Sequence, residues 1–81
     1  MKTVKVRLDS SEKLIWEGEA TSVSSANSKG PFDILPYHAS FITLIEKETV
    51  IVRPPKSKEL RFNLERAVIY NRDNLVSIYT I

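Results

Sequence analysis

Residues Gly30–Leu44 read GPFDILPYHASFITL, and this stretch says most about the fold. Phe32–Leu35 is a short apolar run that ends at Pro36, and Phe41–Ile45 is a second run that is apolar on both faces. Short apolar runs bounded by glycine and proline are typical of β-strands. A strand that is apolar on both faces is covered on both sides. The stretch therefore predicts two strands joined by a turn.

Two alternating patterns precede this stretch, with a turn predicted over Asp9–Glu12 between them. A period of two indicates a strand with one buried face. Another strand is expected over Thr21–Ser24, and Ser24–Pro31 is the most loop-like segment because it is dense in Ser, Asn, Gly and Pro. The buried faces are predicted to carry Val4, Val6 and Leu8 in the first strand and Leu14, Trp16, Gly18 and Ala20 in the second.

The C-terminal half continues the pattern of short strands. Val50–Val52 forms one strand that is stopped by Pro54 and Pro55, and Leu75–Ile81 forms another that is rich in β-branched and aromatic residues. Lys58–Tyr70 is ambiguous, because its apolar residues fit both a helical spacing and a strand alternation. The number of other short strands favours a strand here. The sequence predicts a single all-β domain over residues 1–81.

The composition limits the possible functions. The chain has no cysteine, which excludes disulfides, thiolate metal sites and thiol nucleophiles. No apolar run approaches the ~18 residues of a membrane helix, and the N-terminus lacks the apolar core of a signal peptide. We therefore expect a cytoplasmic protein. The net charge of +2 is too small to indicate nucleic acid as a partner.

Few residues are candidates for chemistry. His38 is the only histidine, so it lacks the further ligands that a metal site needs, and a single loop histidine among many Ser and Asp residues is expected by chance. Glu17 and Glu19 are two apart and share a solvated strand face. No glycine-rich phosphate loop is present. We expect no catalytic residue, no cofactor and no small-molecule substrate.

Two elements at a defined separation resemble a known family. They are WEGEATSV at Trp16–Val23 and the Gly30–Leu44 stretch. Together they resemble the N-terminal domain of the epsilon subunit of F-type ATP synthase, which carries an aromatic-x-Gly-Glu-Ala element followed by Gly-Glu-apolar-Gly-Ile-x-Pro-Gly-His-Ala-Pro. The later strands also match in order, so the resemblance covers essentially the whole chain.

The resemblance implies a flattened sandwich of two roughly five-stranded antiparallel sheets. In the family, this domain performs no chemistry and lies at the foot of the central stalk, peripheral to the cytoplasmic face of the energy-coupling membrane. There it couples the gamma subunit to the c-ring in ATP synthesis and ion transport. The positions held by Ser10, His38 and Thr43 face gamma, and the loop that holds Pro31 and Phe32 reaches the c-ring.

This sequence departs from the family pattern at several positions. Pro31 replaces a glutamate, Asp33 and Tyr37 replace glycines, and Ser40 replaces a proline. Because Tyr37 accepts a positive φ poorly, we predict a type I-like or open turn at Pro36–Tyr37. The Asp73–Asn74 hairpin should tolerate the left-handed region, since Asn can replace a turn glycine.

Family members usually continue into two C-terminal helices, whereas this sequence stops at Ile81. We therefore expect no C-terminal helical hairpin and no self-inhibition or nucleotide sensing. Two alternatives remain open. One is an epsilon-like sandwich recruited as a binding module or as a subunit of a non-synthase, F1-like machine. The other is nucleic-acid binding through the basic cluster at Arg53, Lys56, Lys58 and Arg61, for which the simpler interpretation is a solvated loop.

Overall fold

The computed structural model describes residues 2–81. They form seven strands in one hydrogen-bonded sheet with the spatial order β2-β1-β7-β6-β5-β3-β4. Every neighbouring pair is antiparallel except β1 and β7, which are parallel. The strands are β1 Val4–Asp9, β2 Leu14–Ala20, β3 Ser22–Asn27, β4 Gly30–Ile34, β5 Phe41–Arg53, β6 Leu60–Arg72 and β7 Leu75–Thr80.

The sheet folds over to form two layers because β5 and β6 are each 13 residues long and belong to both. The first half of β5 and the second half of β6 continue through β7 and β1 to β2. The second half of β5 and the first half of β6 continue through β3 to β4. The all-β prediction is confirmed, but one folded sheet of seven strands replaces the two separate sheets of about five.

The two long strands change their buried face where they pass from one layer to the other. Before Lys47, β5 buries odd-numbered residues such as Ile45, and after it β5 buries Val50 and Val52. Lys47 has φ 53°, and it forms no ladder pair with Glu65, although the register is the same on both sides. Because strand side chains alternate strictly, one residue in the left-handed region is enough to switch the face. The predicted separate strands at Phe41–Ile45 and Val50–Val52 are therefore one strand.

Two further predictions for the chain are settled by the strands. Lys58–Tyr70 contains a strand and no helix, as favoured from the sequence. The expectation that Ser24–Pro31 is a loop is wrong, because β3 runs to Asn27 and pairs with β4 as a hairpin. The Asn27 side chain accepts a hydrogen bond from Lys29 N–H at 2.9 Å, and Gly30 takes φ 117°, so only the hairpin tip is loop-like.

One apolar core lies between the layers. At the edge of this core, the half-buried Trp16 packs over Gly18. An added Cβ atom at Gly18 would lie 2.8 Å from the indole ring. Leu14, predicted on the same face, is 43% exposed because the pairing of β1 with β2 shifts after Leu8. The buried apolar residues are Val4, Val6, Leu8, Ala20, Val23, Ile34, Ile45, Val50, Val52, Ala67, Ile69, Val76 and Ile78.

Candidate partner-binding site

The outer surface of the larger layer carries an apolar patch on β5, β6 and β7. These outward positions alternate with core residues, so their exposure follows directly from the pleat. Ile42 is 66% exposed and Tyr79 is 46% exposed. We call this patch the apolar face; it consists of Ile42, Leu44, Val68, Tyr70, Leu75 and Tyr79.

The strand register places most of these side chains next to one another, whereas Leu75 pairs with Arg72, and Ser77, the partner of Tyr70, separates Leu75 from Tyr79. Ile42 pairs with Tyr70, and Leu44 pairs with Val68. Val68 in turn pairs with Tyr79 on β7. Directly paired residues on one sheet face have Cβ atoms about 5 Å apart. Apart from Leu75, the apolar face is therefore a continuous surface of two aromatic and several aliphatic side chains.

Charged residues border the apolar face on β1 and β2. Arg7 contacts Asp9 at 2.8 Å and Glu17 at 3.4 Å. The hydrogen bond that Arg7 donates to Asp9 raises the pKa of Arg7. The border is polar and solvated, which limits the apolar surface to the part formed by β5, β6 and β7.

The outer surface of the smaller layer, which we call the polar face, has a different character. Arg53 donates hydrogen bonds to Ser24 Oγ at 2.6 Å and to Ser22 Oγ at 3.1 Å, and Ser24 donates to Asp33. Glu59 lies 2.7 Å from Arg61 and 3.8 Å from Arg53. The basic cluster noted in the sequence is thus partly neutralised by Glu59, which favours the solvated-loop interpretation.

Ser10, His38 and Thr43 do not form one cluster: Ser10 and His38 lie at the two ends of the larger layer, and the half-buried Thr43 turns its side chain away from the apolar face. Ser10 is in the turn after β1, where its Oγ accepts hydrogen bonds from the N–H groups of Glu12 and Lys13, both at 3.2 Å. Thr43 lies between Ile42 and Leu44, and its Oγ accepts a hydrogen bond from Asn27 at 2.9 Å. His38 precedes β5, at the opposite end of the layer from Ser10.

Pro31 and Phe32 lie in β4, at the edge of the sheet. Pro31 is exposed, and its lack of an N–H group suits an edge position. Phe32 is half-buried and packs edge-on against Phe41, with 5.7 Å between the ring centroids. Of the two residues predicted to reach the c-ring, Pro31 is therefore the more accessible.

The prediction of a type I-like or open turn at Pro36–Tyr37 is wrong. Tyr37 has φ 60°, and the turn is closed by a hydrogen bond from His38 N–H to Leu35 O at 3.1 Å. Tyr37 N–H also donates to Asn74 Oδ1 at 2.8 Å. These bonds hold the residue in a conformation that its side chain disfavours. The prediction for Asp73–Asn74 is confirmed, with φ 52° and 58°.

Two asparagines hold the loop before β5, a role that the sequence analysis predicted for neither. Asn71 is 1% exposed, and its Nδ2 donates to Ala39 O at 3.0 Å. Asn74 accepts from Tyr37 and donates to Thr3 O at 2.9 Å. In the sequence, Asn71 continues the alternating apolar positions of Ala67 and Ile69, and a polar residue at such a position could have indicated a buried hydrogen bond. Asn74 was recognised only as a turn residue, because its long-range partners are set by tertiary structure.

Among residues 2–81, no three His, Cys, Asp or Glu side chains are grouped as metal ligands would be. His38 stacks edge-on against Phe41, with 5.9 Å between the ring centroids. No helix that could cross a membrane occurs in the same range.

The fold defines a small β-sandwich domain with an exposed apolar patch on one outer surface. The sequence profile described as "ATP synthase, Delta/Epsilon chain, beta-sandwich domain" matches residues 3–80, and the chain belongs to this family. The resemblance seen in the sequence is thereby confirmed.

Relatives and solved structures agree with the family. The chain is 30% identical over 78 residues to the ATP synthase epsilon chain of Stenotrophomonas maltophilia K279a, covering 96% of this chain and 56% of that relative. It is 31% identical over 78 residues to that of Xanthomonas euvesicatoria pv. vesicatoria, with the same coverage. The chain thus spans about half the length of these curated relatives.

The fold also matches chains in two mitochondrial ATP synthase structures. In the Euglena gracilis OSCP/F1/c-ring structure, the TM-score is 0.89 at 13% identity, covering 99% of this chain and 51% of that chain. In the Tetrahymena thermophila central stalk and c-ring structure, it is 0.77 at 12% identity, covering 95% and 62%. At these identities the matches establish the fold.

Proposed function

We propose that residues 1–81 form a single epsilon-type domain of a rotary F-type ATP synthase, which binds the gamma subunit through the apolar face and links it to the c-ring. The observation that carries this proposal is the apolar face itself. An antiparallel sheet whose outer side meets water normally alternates apolar and polar residues. A contiguous exposed apolar patch instead marks a protein-binding surface.

The proposed role is mechanical and not catalytic. The domain supplies no nucleophile, metal or cofactor, and it couples and steadies a rotor in ATP synthesis and ion transport. The domain is peripheral to the cytoplasmic face of the membrane and reaches it through its partners. Ser10, His38 and Thr43 are the proposed gamma-facing positions, and Pro31 with Phe32 forms the proposed c-ring contact.

The positions around the apolar face support the gamma assignment. The Ser10 turn follows Asp9, which pairs with Tyr79 of that face, and Thr43 lies in β5 between Ile42 and Leu44 with its own side chain on the opposite side of the strand. His38 lies beyond the start of β5. A partner that covers the apolar face would reach Ser10 and His38 at its two ends. The contact would therefore combine apolar burial with polar contacts at its edge, as interfaces generally do.

The experiment that tests this proposal is a binding measurement with the gamma subunit of the same organism. The double variant His38→Glu, Thr43→Arg should weaken binding at least about tenfold, since it places charges at two of the proposed gamma-facing positions. Because Thr43 is half-buried and bonded to Asn27, binding is compared only where the variant is folded. The matched control is Lys58→Glu, Arg61→Glu, which changes two charges away from the apolar face and should bind as the parent does.

A pull-down from the native cell extract separates the alternatives. Recovery of F1 subunits supports the proposal, and recovery of other proteins without F1 subunits favours a recruited binding module. Binding to oligonucleotides that is lost at high salt would favour the nucleic-acid alternative. Equal gamma binding by parent and by the His38→Glu, Thr43→Arg variant, with both folded, would contradict the assigned face.

A further inference from the structure

Tyr37 has a backbone conformation that its side chain disfavours. It is the third residue of the turn Leu35–His38 and has φ 60°. A residue with positive φ that comes directly after a proline is typical of a type II turn. Glycine or asparagine adopts this region more easily, because a larger side chain crowds the backbone there. A tyrosine at this position therefore raises the free energy of the folded state.

The surrounding structure holds this conformation from outside the turn. Asn74 accepts a hydrogen bond from Tyr37 N–H at 2.8 Å and fixes Thr3 through a second bond at 2.9 Å. Asn71, which is buried, donates to Ala39 O at 3.0 Å. These bonds are made by the Tyr37 N–H group, by the two asparagine side chains and by backbone carbonyls. None of them involves the phenol ring.

The ring itself contributes little to the fold. It is 70% exposed, and the ammonium group of Lys2 lies over it, 5.9 Å from the ring centroid. Leu35, two residues earlier, is 52% exposed. A strained residue whose side chain points to solvent is a reason to look for function, since such strain persists mainly at functional sites.

The rigid turn gives the exposed ring an advantage in binding. An aromatic side chain that is already held in place loses little conformational entropy when a partner covers it. Tyrosine is also among the residues that most often dominate binding energy at interfaces. The next residue, His38, is a proposed gamma-facing position, so the ring adjoins the contact described above.

We propose that Tyr37 is a preorganised anchor for the gamma subunit, which receives the ring in an apolar cleft with a carboxylate at its rim near Lys2. The proposal rests on the proposed function and adds a residue to it. We expect an apolar cleft on gamma because the exposed ring and the exposed Leu35 beside it are both apolar. We expect a carboxylate on gamma because Lys2 places a positive charge at the ring.

The test compares gamma binding and thermal unfolding for three variants. Tyr37→Gly removes both the ring and the strain, and should weaken binding at least about tenfold while the unfolding midpoint stays the same or rises by about 2–4 °C. Tyr37→Phe keeps the ring and should bind within about threefold of the parent. Lys47→Gly is the matched control, since Lys47 has φ 53° in β5, outside the turn, and should bind as the parent does.

The outcomes separate this proposal from the proposed function. If the parent does not bind gamma, the proposed function fails, and the anchor fails with it. If the parent binds and Tyr37→Gly binds equally well, only the anchor is overturned. Weaker binding that matches a fall in the unfolding midpoint, or an equal loss in Lys47→Gly, would also overturn it, because either result indicates general loosening of the fold.

Discussion

The two outer surfaces of this sandwich are made by one sheet and yet differ in chemistry. Strand β5 contributes Ile42 and Leu44 to the apolar face, and past Lys47 it contributes Arg53 to the polar face. On the polar face, side chains satisfy one another through the hydrogen bonds of Arg53, Ser24 and Asp33. On the apolar face, the side chains contact one another and leave their outer surfaces exposed.

This difference shows that fold stability alone does not set the surface residues. Outward positions on an antiparallel sheet are free to be polar, and the polar face uses that freedom. The apolar face gains nothing from its exposed Ile42 and Tyr79 while it is uncovered. Covering them with another subunit would remove this apolar area from water, which is the main driving force of association. The following predictions test the contrast between the two faces.

The largest effect is expected when charge is placed on the apolar face. The variant Ile42→Glu, Leu44→Glu should weaken gamma binding by about a hundredfold or more, because two buried carboxylates would lack partners. Both residues are exposed in the isolated domain, so the free energy of unfolding should change by less than about 1 kcal/mol. Isothermal titration and urea unfolding measure the two quantities.

The matched control for this variant lies on the polar face. Arg61→Glu, Asn63→Glu places two glutamates at the same spacing on β6, and it should bind gamma as the parent does. If both double variants lose affinity equally, the contrast between the faces is wrong.

The second effect concerns the loop that borders the apolar face. Asn71→Ala removes the donor to Ala39 O, and the loss of a buried hydrogen bond should lower the free energy of unfolding by about 1–3 kcal/mol. Gamma binding at a temperature where the variant is folded should weaken several-fold, because the Leu35–Ser40 loop loses its fixed position. Unchanged affinity in the folded variant would show that the loop plays no part in the contact.

The third effect should be confined to stability. Arg53→Met keeps the aliphatic stem and removes the hydrogen bonds to Ser22 and Ser24, which should lower the free energy of unfolding by about 1 kcal/mol. Gamma affinity should not change, since the side chain lies on the polar face. A clear loss of affinity would mean that both faces take part in binding.

The smallest expected effect is that of salt. If apolar burial dominates the contact, gamma affinity should change by less than about threefold between 50 and 300 mM NaCl, because screening acts on exposed charges. A steep fall with salt would assign the contact to charged residues such as Arg7 and Glu17.

The sequence predicted the parts of this molecule that depend on local pattern. The alternation in Val4–Leu8 and the β-branched C-terminal segment predicted β1 and β7. The two motifs at Trp16–Val23 and Gly30–Leu44 predicted the family. The pattern failed at Lys47, because a single residue in the left-handed region reverses the alternation of a continuous strand. It failed at Tyr37 for a related reason: the side chain argues against positive φ, while the hydrogen bonds from Tyr37 N–H to Asn74 and from His38 N–H to Leu35 impose it.

The candidate site was predictable in outline only. Thr43 and its neighbours could be placed through the family resemblance, but the apolar face depends on β5, β6 and β7 lying side by side. That arrangement joins residues far apart in the chain, such as Leu44 and Tyr79. Periodicity shows that each strand has two faces, and it does not show which outward residues of different strands become neighbours.

The most direct test of the account uses the absence of cysteine from the sequence. Single cysteines are placed at Ile42 on the apolar face and at Asn63 on the polar face, and maleimide labelling of this chain is followed by mass spectrometry with and without gamma. We predict that gamma slows labelling at position 42 at least about tenfold, since a covered thiol is reached only when the complex opens, and leaves position 63 unchanged. Equal rates at position 42 with and without saturating gamma would contradict the claim that the apolar face is the gamma-binding surface.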